Sequence, residues 1–392
     1  MTWEQARATA RDAVQPLPAA TLEPADALGH ALAAPLAART DLPPFDTSAM
    51  DGWAVAGPGP WRLEDRTLLA GTRPAPLRPG AAAPIATGAR LPAGATAVLR
   101  REHGATDPAT GTLHVRSAAP GAAPGADIRV QGHECRTGDP LLPAGATVTP
   151  AVLGLAAAGH DRLRVHRRPT VELLVLGDEL LTSGLPGDGR VRDALGPLLP
   201  PWLHALGAEV TGHHRVPDAA APLTEAVRRS SADVVVTTGS TAAGPVDFLH
   251  RALRANGAEL LVDSVAVRPG HPMLLAALPG TGSRPARHLV GLPGNPLAAV
   301  AGLVTLAAPL LGRLGGRTPD GPHRARAASA LPGHPADTRL VPVRRAENGV
   351  TPLPYDGPAM LRGLARADHL AVLPPGGATE GEYVTVLPLP AG

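Results

Sequence analysis

The sequence predicts an α/β multidomain protein, and three observations support this fold class. The chain has 392 residues, more than the roughly 250–300 at which one hydrophobic core stops growing. Between residues 170 and 314, short aliphatic runs alternate with helix-length amphipathic segments, which is typical of βαβ units and a parallel sheet. The stretches before and after this region are rich in Gly and Pro with short apolar runs, which favours β-rich domains.

Composition limits the classes of function that the chain can have. Hydrophobic residues make up 44% and charged residues 18%, enough to build buried cores. The 36 basic and 34 acidic residues nearly cancel, and the net charge is +2. All fixed cations are arginines, because the sequence contains no lysine. This balance implies no basic face for nucleic acid, so we expect no nucleic-acid partner.

The predicted location is the cytoplasm. The single cysteine, Cys135, excludes an intrachain disulfide and fits a reducing compartment. The segment that begins at Met1 lacks the charged-then-apolar order of a signal peptide. The apolar stretch from Leu297 to Leu311 is shorter than the roughly 20 residues that cross a bilayer. It predicts a buried helix, and we expect no membrane association.

Changes in composition along the chain predict four domains. Residues 1–45 together with 130–168 form a discontinuous, partly helical linker domain, with two short amphipathic helices expected between Thr2 and about Arg39. Residues 46–129 form a β-rich lobe, residues 169–316 the α/β domain, and residues 317–392 a small C-terminal domain that resembles a β-barrel.

Glycine-bearing polar turns follow three predicted strands of the α/β domain, at residues 171–176, 233–237 and 288–292. Ligands of open parallel sheets bind beyond the carboxyl ends of the strands. Glycines let backbone amides approach an anion, and carboxylates in the same cleft require a cation between them and that anion. Ordinary turns remain the alternative for each motif taken alone. The three turns are Gly177-Asp178-Glu179, then Thr238-Gly239-Ser240-Thr241 with Gly244 and Asp247, and Pro293-Gly294-Asn295-Pro296.

A second polar loop lies in the lobe, from Pro44 to Val55, with Asp51 at its centre. It packs small and polar residues around an acid in a region that is otherwise apolar. A tight turn capped by Asp51 is the ordinary interpretation, because Asp-Gly is a common turn pair. The alternative interpretation is a loop that takes part in the function.

Several motifs in order resemble the MoeA/gephyrin molybdenum-insertion family. The loop Ser48-Ala49-Met50-Asp51-Gly52 is similar to the family's SAMDGYA signature, with Trp53 in place of tyrosine. The similarity continues over nearly the whole chain, through Thr87-Gly88-Ala89, Leu91-Pro92-Ala93-Gly94-Ala95, Arg129 with Gly132, Gly177-Asp178-Glu179-Leu180, Pro269-Gly270 and Leu292-Pro293-Gly294-Asn295-Pro296.

The resemblance implies a three-layer α/β/α molybdopterin-binding domain with a mainly parallel sheet, and a homodimer. It places the active site between the α/β domain of one subunit and the β-rich lobe of the other. The implied reaction inserts molybdenum from molybdate into adenylylated molybdopterin, releases AMP and requires Mg²⁺. A molybdopterin adenylyltransferase is the implied donor of the substrate.

Residues that match the family's motifs are the candidate site residues. The implied catalytic residues are Asp51, Thr87, Glu134, Glu179, Asp218 and Asp247. Asp218 and Asp247 are the implied Mg²⁺ ligands. The implied substrate-binding residues are Gly177, Asp178, Thr238, Gly239, Ser240, Gly244, Arg268, Gly270, His271, Pro293, Gly294, Asn295 and Pro296. A helix cap is the ordinary alternative for Asp218, and an ordinary loop histidine for His271.

The sequence departs from the family pattern in ways that leave the function open. The Gly-Gly-x-Ser-x-Gly turn reads Gly239-Ser240-Thr241-Ala242-Ala243-Gly244, with Pro245 after it, and the Asp-Ser-Asn element reads Asp193-Ala194-Leu195. Gly-Glu-Asp reads Gly132-His133-Glu134. Three interpretations remain: a working molybdenum transferase, a paralogue that binds a pterin or nucleotide without inserting metal, and a scaffold without chemistry.

Overall fold

The computed structural model describes residues 1–117, 119–241, 247–280, 285–318 and 323–390. Helix α1 (Trp3–Asp12) begins at Thr2, whose hydroxyl accepts from the Gln5 amide while the Gln5 side chain accepts from the Thr2 amide. Strands β1 (Ala19–Leu22), β2 (Ala31–Leu32) and β3 (Leu36–Ala37) follow. The prediction of a second helix before Arg39 is therefore wrong, because this segment pairs into small sheets.

The β-rich lobe is confirmed as a predominantly antiparallel unit. Its six-stranded sheet has the order β8-β5-β7-β6-β10-β9, and β11 pairs with β4 beside it. The strands are β4 (Thr47–Ser48), β5 (Gly52–Val55), β6 (Trp61–Leu63), β7 (Ala81–Ile85), β8 (Ala97–Arg100), β9 (Gly104–Asp107), β10 (Thr112–Val115) and β11 (Ile128–Arg129).

The chain then returns to the linker region. Strand β12 (Pro140–Leu142) pairs with β3, helix α2 (Pro150–Leu155) follows, and β13 (Leu163–His166) lies between β1 and β2. Their apolar side chains form a small core of their own around Leu32, Val152 and Leu163. The linker region thus brings together segments from both sides of the lobe.

The α/β domain carries the mainly parallel sheet that the sequence predicts. The sheet order is β17-β14-β18-β22-β21-β19. The first four strands are parallel to one another, and β21 runs antiparallel to both of its neighbours, β22 and β19. Its elements are β14 (Thr170–Leu176), β15 (Leu180–Leu181), β16 (Val191–Arg192), α3 (Leu195–Ala205), β17 (Glu209–Val216), α4 (Ala220–Arg229), β18 (Val234–Thr238), α5 (Phe248–Ala255), β19 (Glu259–Asp263), β20 (Val267–Arg268), β21 (Leu274–Leu278) and β22 (Arg287–Leu292).

Helices cover both faces of this sheet, as a three-layer α/β/α domain requires. Alternate residues of β14 enter different cores, because successive side chains of a strand point to opposite faces. Leu173 packs in one core with α3, with α1 through Trp3 and with the long helix described next, whereas Leu174 packs in the other core with α4 and α5.

The apolar stretch after Asn295 forms one long buried helix, as predicted. It consists of α6 (Pro296–Gly302), a π-helical segment (Leu303–Ala307) and α7 (Ala308–Leu314). Among the described residues, it is the one helix long and apolar enough to cross a bilayer, and 78% of its most apolar window is buried inside the protein. Burial of this kind identifies a core helix.

The C-terminal domain is a β-structure, as predicted. Its main sheet has the order β20-β25-β27-β29-β23, with β26 paired to β25. The strands are β23 (His323–Arg326), β24 (Leu331–Pro332), β25 (Thr338–Ala346), β26 (Gly349–Pro352), β27 (His369–Leu373), β28 (Gly377–Ala378) and β29 (Tyr383–Pro388). Because β20 belongs to the α/β domain, this sheet joins the two domains next to Arg268.

Candidate functional site

The carboxyl ends of four parallel strands meet at one edge of the α/β sheet. Leu176 pairs with Val216, and Thr238 pairs with Leu292. Neighbouring strands lie about 4.7–4.9 Å apart, so the segments that follow them are adjacent. The turns that begin at Gly177, Gly239 and Pro293, and the loop that carries Asp218, therefore line one crevice.

Asp218 joins two of these segments. Its Oδ2 accepts a hydrogen bond from the backbone amide of Asp178 at 3.1 Å. The alternative interpretation as a helix cap is wrong, because α4 begins after Ala219 without a side-chain cap. Arg215 supports the same turn by donating to the carbonyls of Gly177 and Leu180 at 3.3 and 2.7 Å.

The side chains of Asp178 and Glu179 are exposed beside this turn. A β-carbon at Gly177 would meet Leu180 at 2.7 Å, and the residue has φ +135. Glycine is required there because other residues rarely adopt such a backbone conformation. The turn thus presents two carboxylates at the rim of the crevice.

The turn after β18 takes a left-handed path. Gly239 has φ 87 and Ser240 has φ 55. The Gly239 amide donates to the carbonyl of Leu292 at 2.8 Å, and the Ser240 hydroxyl accepts from the amide of Phe248 at 2.9 Å. Thr238 is buried behind the turn. Gly244 lies outside the described residues.

The turn after β22 lies against the turn after β18. A β-carbon at Gly294 would be 3.6 Å from the Cα atom of Gly239. Pro293 is buried, whereas Gly294 and Asn295 are exposed. Asn295 is the N-cap of α6 and Pro296 its first residue, but the Asn295 side chain makes no capping hydrogen bond.

The first free amides of α6 are partly occupied by the chain itself. The amides of Leu297 and Ala298 donate to the carbonyl of Pro358 at 2.9 and 3.2 Å. The sequence predicts an open anion-binding turn here. In the structure, a loop of the C-terminal domain satisfies these two donors, so an anion at this turn depends on the amides that precede Leu297.

Asp247 is the N-cap of α5 and contacts a buried histidine. Its Oδ1 accepts from the backbone amide of His250 at 3.0 Å and lies 2.8 Å from His250 Nδ1. The other ring nitrogen, Nε2, lies 3.0 Å from Oδ1 of Asp263. Burial lowers the pKa of His250, but its hydrogen bonds to Asp263 and Asp247 raise the pKa more, so the net shift is upward.

Asp218 and Asp247 are the two residues for which the family resemblance implies Mg²⁺ binding. Each uses one oxygen in the hydrogen bonds above, and its second oxygen takes none from the described residues. Within the described part of the chain, no group of three or more His, Cys, Asp or Glu side chains forms a complete metal site. Mg²⁺ does not need one, because it commonly binds through one or two carboxylates, water and phosphate.

Arg268, Gly270 and His271 lie where the α/β domain meets the C-terminal domain. Arg268 Nε donates to Asp337 Oδ2 at 2.9 Å. His271 Nδ1 lies 2.8 Å from the carbonyl of Val265, an acceptor that fixes the proton on this nitrogen. A β-carbon at Gly270 would meet Met273 at 2.9 Å, so the backbone passes close to the core here.

The structure adds Arg339, which the sequence interpretation missed. Arg339 is the register partner of Arg268 in the parallel pair of β20 and β25. Its Nη2 donates to Asp356 Oδ2 at 2.8 Å. Arg268 and Arg339 are 71 positions apart in sequence and become neighbours only through strand pairing, and no local motif signals this pairing.

In the lobe, Asp51 is bound to Thr87. The amide and the hydroxyl of Thr87 donate to Asp51 Oδ1 at 2.7 and 2.8 Å. These two bonds hold the pKa of Asp51 below its ordinary value. Both side chains are exposed. Asp51 therefore presents an ionised carboxylate at the surface of the lobe and does not cap its own turn.

The remaining lobe-side candidate is Glu134. Its amide donates to the carbonyl of Leu42 at 2.9 Å, and its side chain is exposed. The structure thus joins Asp51 with Thr87 in the lobe, and Asp178, Asp218, Gly239 and Gly294 at the sheet edge. Arg268 and His271 form a third group at the domain boundary.

Comparisons with known protein families cover almost the whole chain. The family described as "MoeA N-terminal region (domain I and II)" matches residues 1–159. "Probable molybdopterin binding domain" matches residues 172–313, and "MoeA C-terminal region (domain IV)" matches residues 324–389. The three matches follow one another in order, and the middle one covers the α/β domain.

Relatives and solved structures agree with these matches. The chain is 32% identical over 302 residues to the molybdopterin molybdenumtransferase of a Nostoc species, with 74% of this chain and 67% of that protein covered. It is 28% identical to the Staphylococcus epidermidis protein of the same name, with 92% and 89% covered. A MoeA protein structure from Pyrococcus horikoshii has a TM-score of 0.75 at 25% identity, with 100% and 99% covered. The chain belongs to the MoeA family.

Proposed function

We propose that this chain is a molybdopterin molybdenumtransferase. It inserts molybdenum from molybdate into the dithiolene of adenylylated molybdopterin and releases AMP. The observation that carries this proposal is the meeting of glycine turns and two carboxylates at one sheet edge in a chain of the MoeA family. Relatives that are named as molybdenumtransferases support it over the interpretations without metal insertion.

The glycine turns of the crevice bind the pterin and its phosphates. Gly177, Gly239 and Gly294 leave space next to the backbone, so amide donors reach the phosphate oxygens. Asp178 and Glu179 at the rim accept hydrogen bonds from the amino groups of the pterin. The Ser240 hydroxyl accepts from the Phe248 amide and holds the turn after β18 in its left-handed path, and Thr238 is buried behind it.

Asp218 and Asp247 would hold the Mg²⁺ that the proposed reaction requires. A bound divalent cation would supply charge neutralisation for the departing AMP phosphate. The two carboxylates come from different loops, and their hydrogen bonds to the Asp178 amide and to His250 fix their positions. These hydrogen bonds preorganise the two carboxylates, so the carboxylates do not have to reorient during the reaction.

Arg268 and Arg339 bind molybdate in this proposal, with His271 beside them. Guanidinium groups present a fork of donors that suits a tetrahedral oxyanion. Each arginine now pairs with a carboxylate, Asp337 or Asp356, so molybdate exchanges with these acids. His271 donates to the Val265 carbonyl through Nδ1, and this bond fixes the orientation of its ring beside the two arginines.

The lobe of a second subunit completes the site. We propose that the chain forms a cytoplasmic homodimer in which Asp51, Thr87 and Glu134 of one subunit approach the crevice of the other. The exposure of Asp51 and Thr87, which hydrogen-bond each other at the lobe surface, supports this arrangement. A molybdopterin adenylyltransferase supplies the substrate. No membrane or nucleic acid takes part.

AMP release tests the proposed function directly. The purified protein is incubated with adenylylated molybdopterin, Mg²⁺ and molybdate, and AMP is quantified by chromatography. We expect molybdate-dependent AMP release that falls at least about 100-fold in Asp247→Asn, because loss of one preorganised electrostatic group costs 10²–10³ in rate. The control is Glu225→Gln, which alters an exposed pair with Arg228 on α4. Substrate binding without AMP release in the unaltered protein would contradict the proposal.

A further inference from the structure

We propose that His250 is a positioning residue for this reaction and that Asp263 anchors it. This inference rests on the proposed function, because it assigns Asp247 to the cation. The imidazole lies between two carboxylates, with Nδ1 at 2.8 Å from Asp247 and Nε2 at 3.0 Å from Asp263. Its side chain is only 9% exposed. Both ring nitrogens are therefore occupied by acids.

The first consequence concerns the orientation of Asp247. An N-cap needs only the bond from the backbone amide to the side-chain oxygen. Here His250 supplies two donors to the same oxygen, Oδ1: its amide at 3.0 Å and its ring at 2.8 Å. Two donors that converge on one oxygen restrict rotation of the carboxylate. Oδ2 is then the oxygen that remains for a cation.

The second consequence concerns the loop that binds the oxyanion. Asp263 is the last residue of β19, and a short connection leads from it to the next strand, β20, which ends at Arg268. This connection is tied to the following strand, because the Ser264 amide donates to the Met273 carbonyl at 3.1 Å. His250 therefore links the cation-binding carboxylate to the segment that carries Arg268 and His271.

A purely structural role accounts less well for this arrangement. An intact buried ion pair contributes little net stability because desolvation offsets its attraction, although removing one partner alone is destabilising. The far acid, Asp263, is 56% exposed, so its bond adds still less. Groups that orient a metal ligand instead change metal affinity by about 10–100-fold when they are removed. The position of His250 at the site edge fits this second role.

The experiment measures metal affinity apart from turnover. Mn²⁺ alone is titrated into the full-length protein and into His250→Gln and Asp263→Asn, and free Mn²⁺ is followed by electron paramagnetic resonance. We expect about tenfold weaker binding in His250→Gln and a smaller loss in Asp263→Asn. His30→Gln is the matched control, because His30 is a partly buried histidine whose ring bonds the His166 carbonyl, away from the crevice.

AMP release provides the second readout. The half-saturating Mg²⁺ concentration should rise about tenfold in His250→Gln, with a smaller fall in kcat. A lower melting temperature with unchanged Mn²⁺ affinity in both variants would overturn the inference. If His250→Gln does not fold, the Mn²⁺ affinity of Asp263→Asn tests the inference by the same criterion.

Other outcomes separate this inference from the proposed function. Mn²⁺ binding without AMP release in the unaltered protein would refute the proposed function, and the Mn²⁺ affinities of the variants and the unaltered protein would still test this inference. No Mn²⁺ binding by the unaltered protein would overturn it.

Discussion

Thr87 donates both its backbone amide and its hydroxyl to one oxygen of Asp51, at 2.7 and 2.8 Å. The two residues come from separate motifs, and backbone bonds join these motifs again nearby. The amide of Gly88 donates to the carbonyl of Ser48, and the amide of Ser48 donates to the carbonyl of Ala89. The two motifs therefore form one structural unit, which presents the ionised carboxylate of Asp51 at the surface.

The Thr87 hydroxyl should set the acidity of Asp51. In Thr87→Val the hydroxyl bond is lost and the amide bond remains. Since both bonds lower the pKa of Asp51, we expect the pKa to move upward, toward the ordinary value of about 3.9. Thr87→Ser should leave it unchanged. Carbon-13 NMR titration of the Asp51 carboxyl measures both, and an unshifted pKa in Thr87→Val would contradict this assignment.

A buried bond between α1 and the long helix should stabilise the fold. The Trp3 indole donates to the Thr305 hydroxyl at 3.0 Å, and both side chains are buried. Thr305→Val should lower the free energy of unfolding by about 1–3 kcal/mol, because the indole N–H is left without a partner. Trp3→Phe should lower the free energy of unfolding less in the Thr305→Val protein than in the unaltered protein. Urea denaturation of the four proteins measures the coupling, and additive losses would refute it.

Asp233 should stabilise the end of the sheet opposite the crevice. It accepts two bonds from the Arg167 guanidinium and two from Thr170, at 2.7–2.8 Å. Burial raises the pKa of Asp233, but these bonds lower it more. Asp233→Asn should lower the free energy of unfolding by about 2 kcal/mol at pH 7. Because Arg167 is partly exposed, solvent reduces this loss.

The stabilisation by Asp233 should depend on pH with a definite sign. A carboxyl whose pKa is lowered in the folded state stabilises the fold above its unfolded pKa of about 3.9 and loses this effect as the pH falls. Urea denaturation of Asp233→Asn and the unaltered protein should therefore show a difference that narrows below about pH 4. A difference that widens there would be contrary to the expectation.

The two register-paired arginines should determine affinity for molybdate. A charged hydrogen bond contributes about 1.5–3 kcal/mol, so Arg339→Ala and Arg268→Ala should each raise the half-saturating molybdate concentration at least about tenfold. The exposed Arg11, which pairs with Asp12, provides the control Arg11→Ala. Isothermal titration with molybdate measures affinity without turnover. Equal affinities in Arg339→Ala and the control would remove Arg339 from the site.

The sequence predicts those parts of the fold that local patterns determine. The predicted strands at residues 171–176, 233–237 and 288–292 correspond to β14, β18 and β22 within one residue at each end. Short aliphatic runs that are bounded by turn residues favour buried strands. The segment before Arg39 has helical spacing, but strand pairing overrides it. The domain boundaries stay a prediction.

The contacts of the site depended on pairing between distant segments. Nothing local to Arg339 indicates that it lies beside Arg268, and nothing local to Pro358 indicates that its carbonyl meets the first turn of α6. His250 is different, because a histidine three residues after Asp247 at the start of a helix is a local signal. Its second partner, Asp263, follows only from the packing of α5 against β19.

A heterodimer with complementary defects tests the shared active site most directly. Asp51→Asn and Asp247→Asn subunits with different affinity tags are coexpressed, and the mixed dimer is isolated. One of its two sites then carries both changes and the other carries neither. We predict AMP release at about half the rate of the unaltered dimer, although each homodimeric variant is inactive. A mixed dimer as inactive as its parents would show that Asp51 and Asp247 of different subunits do not act on one ligand.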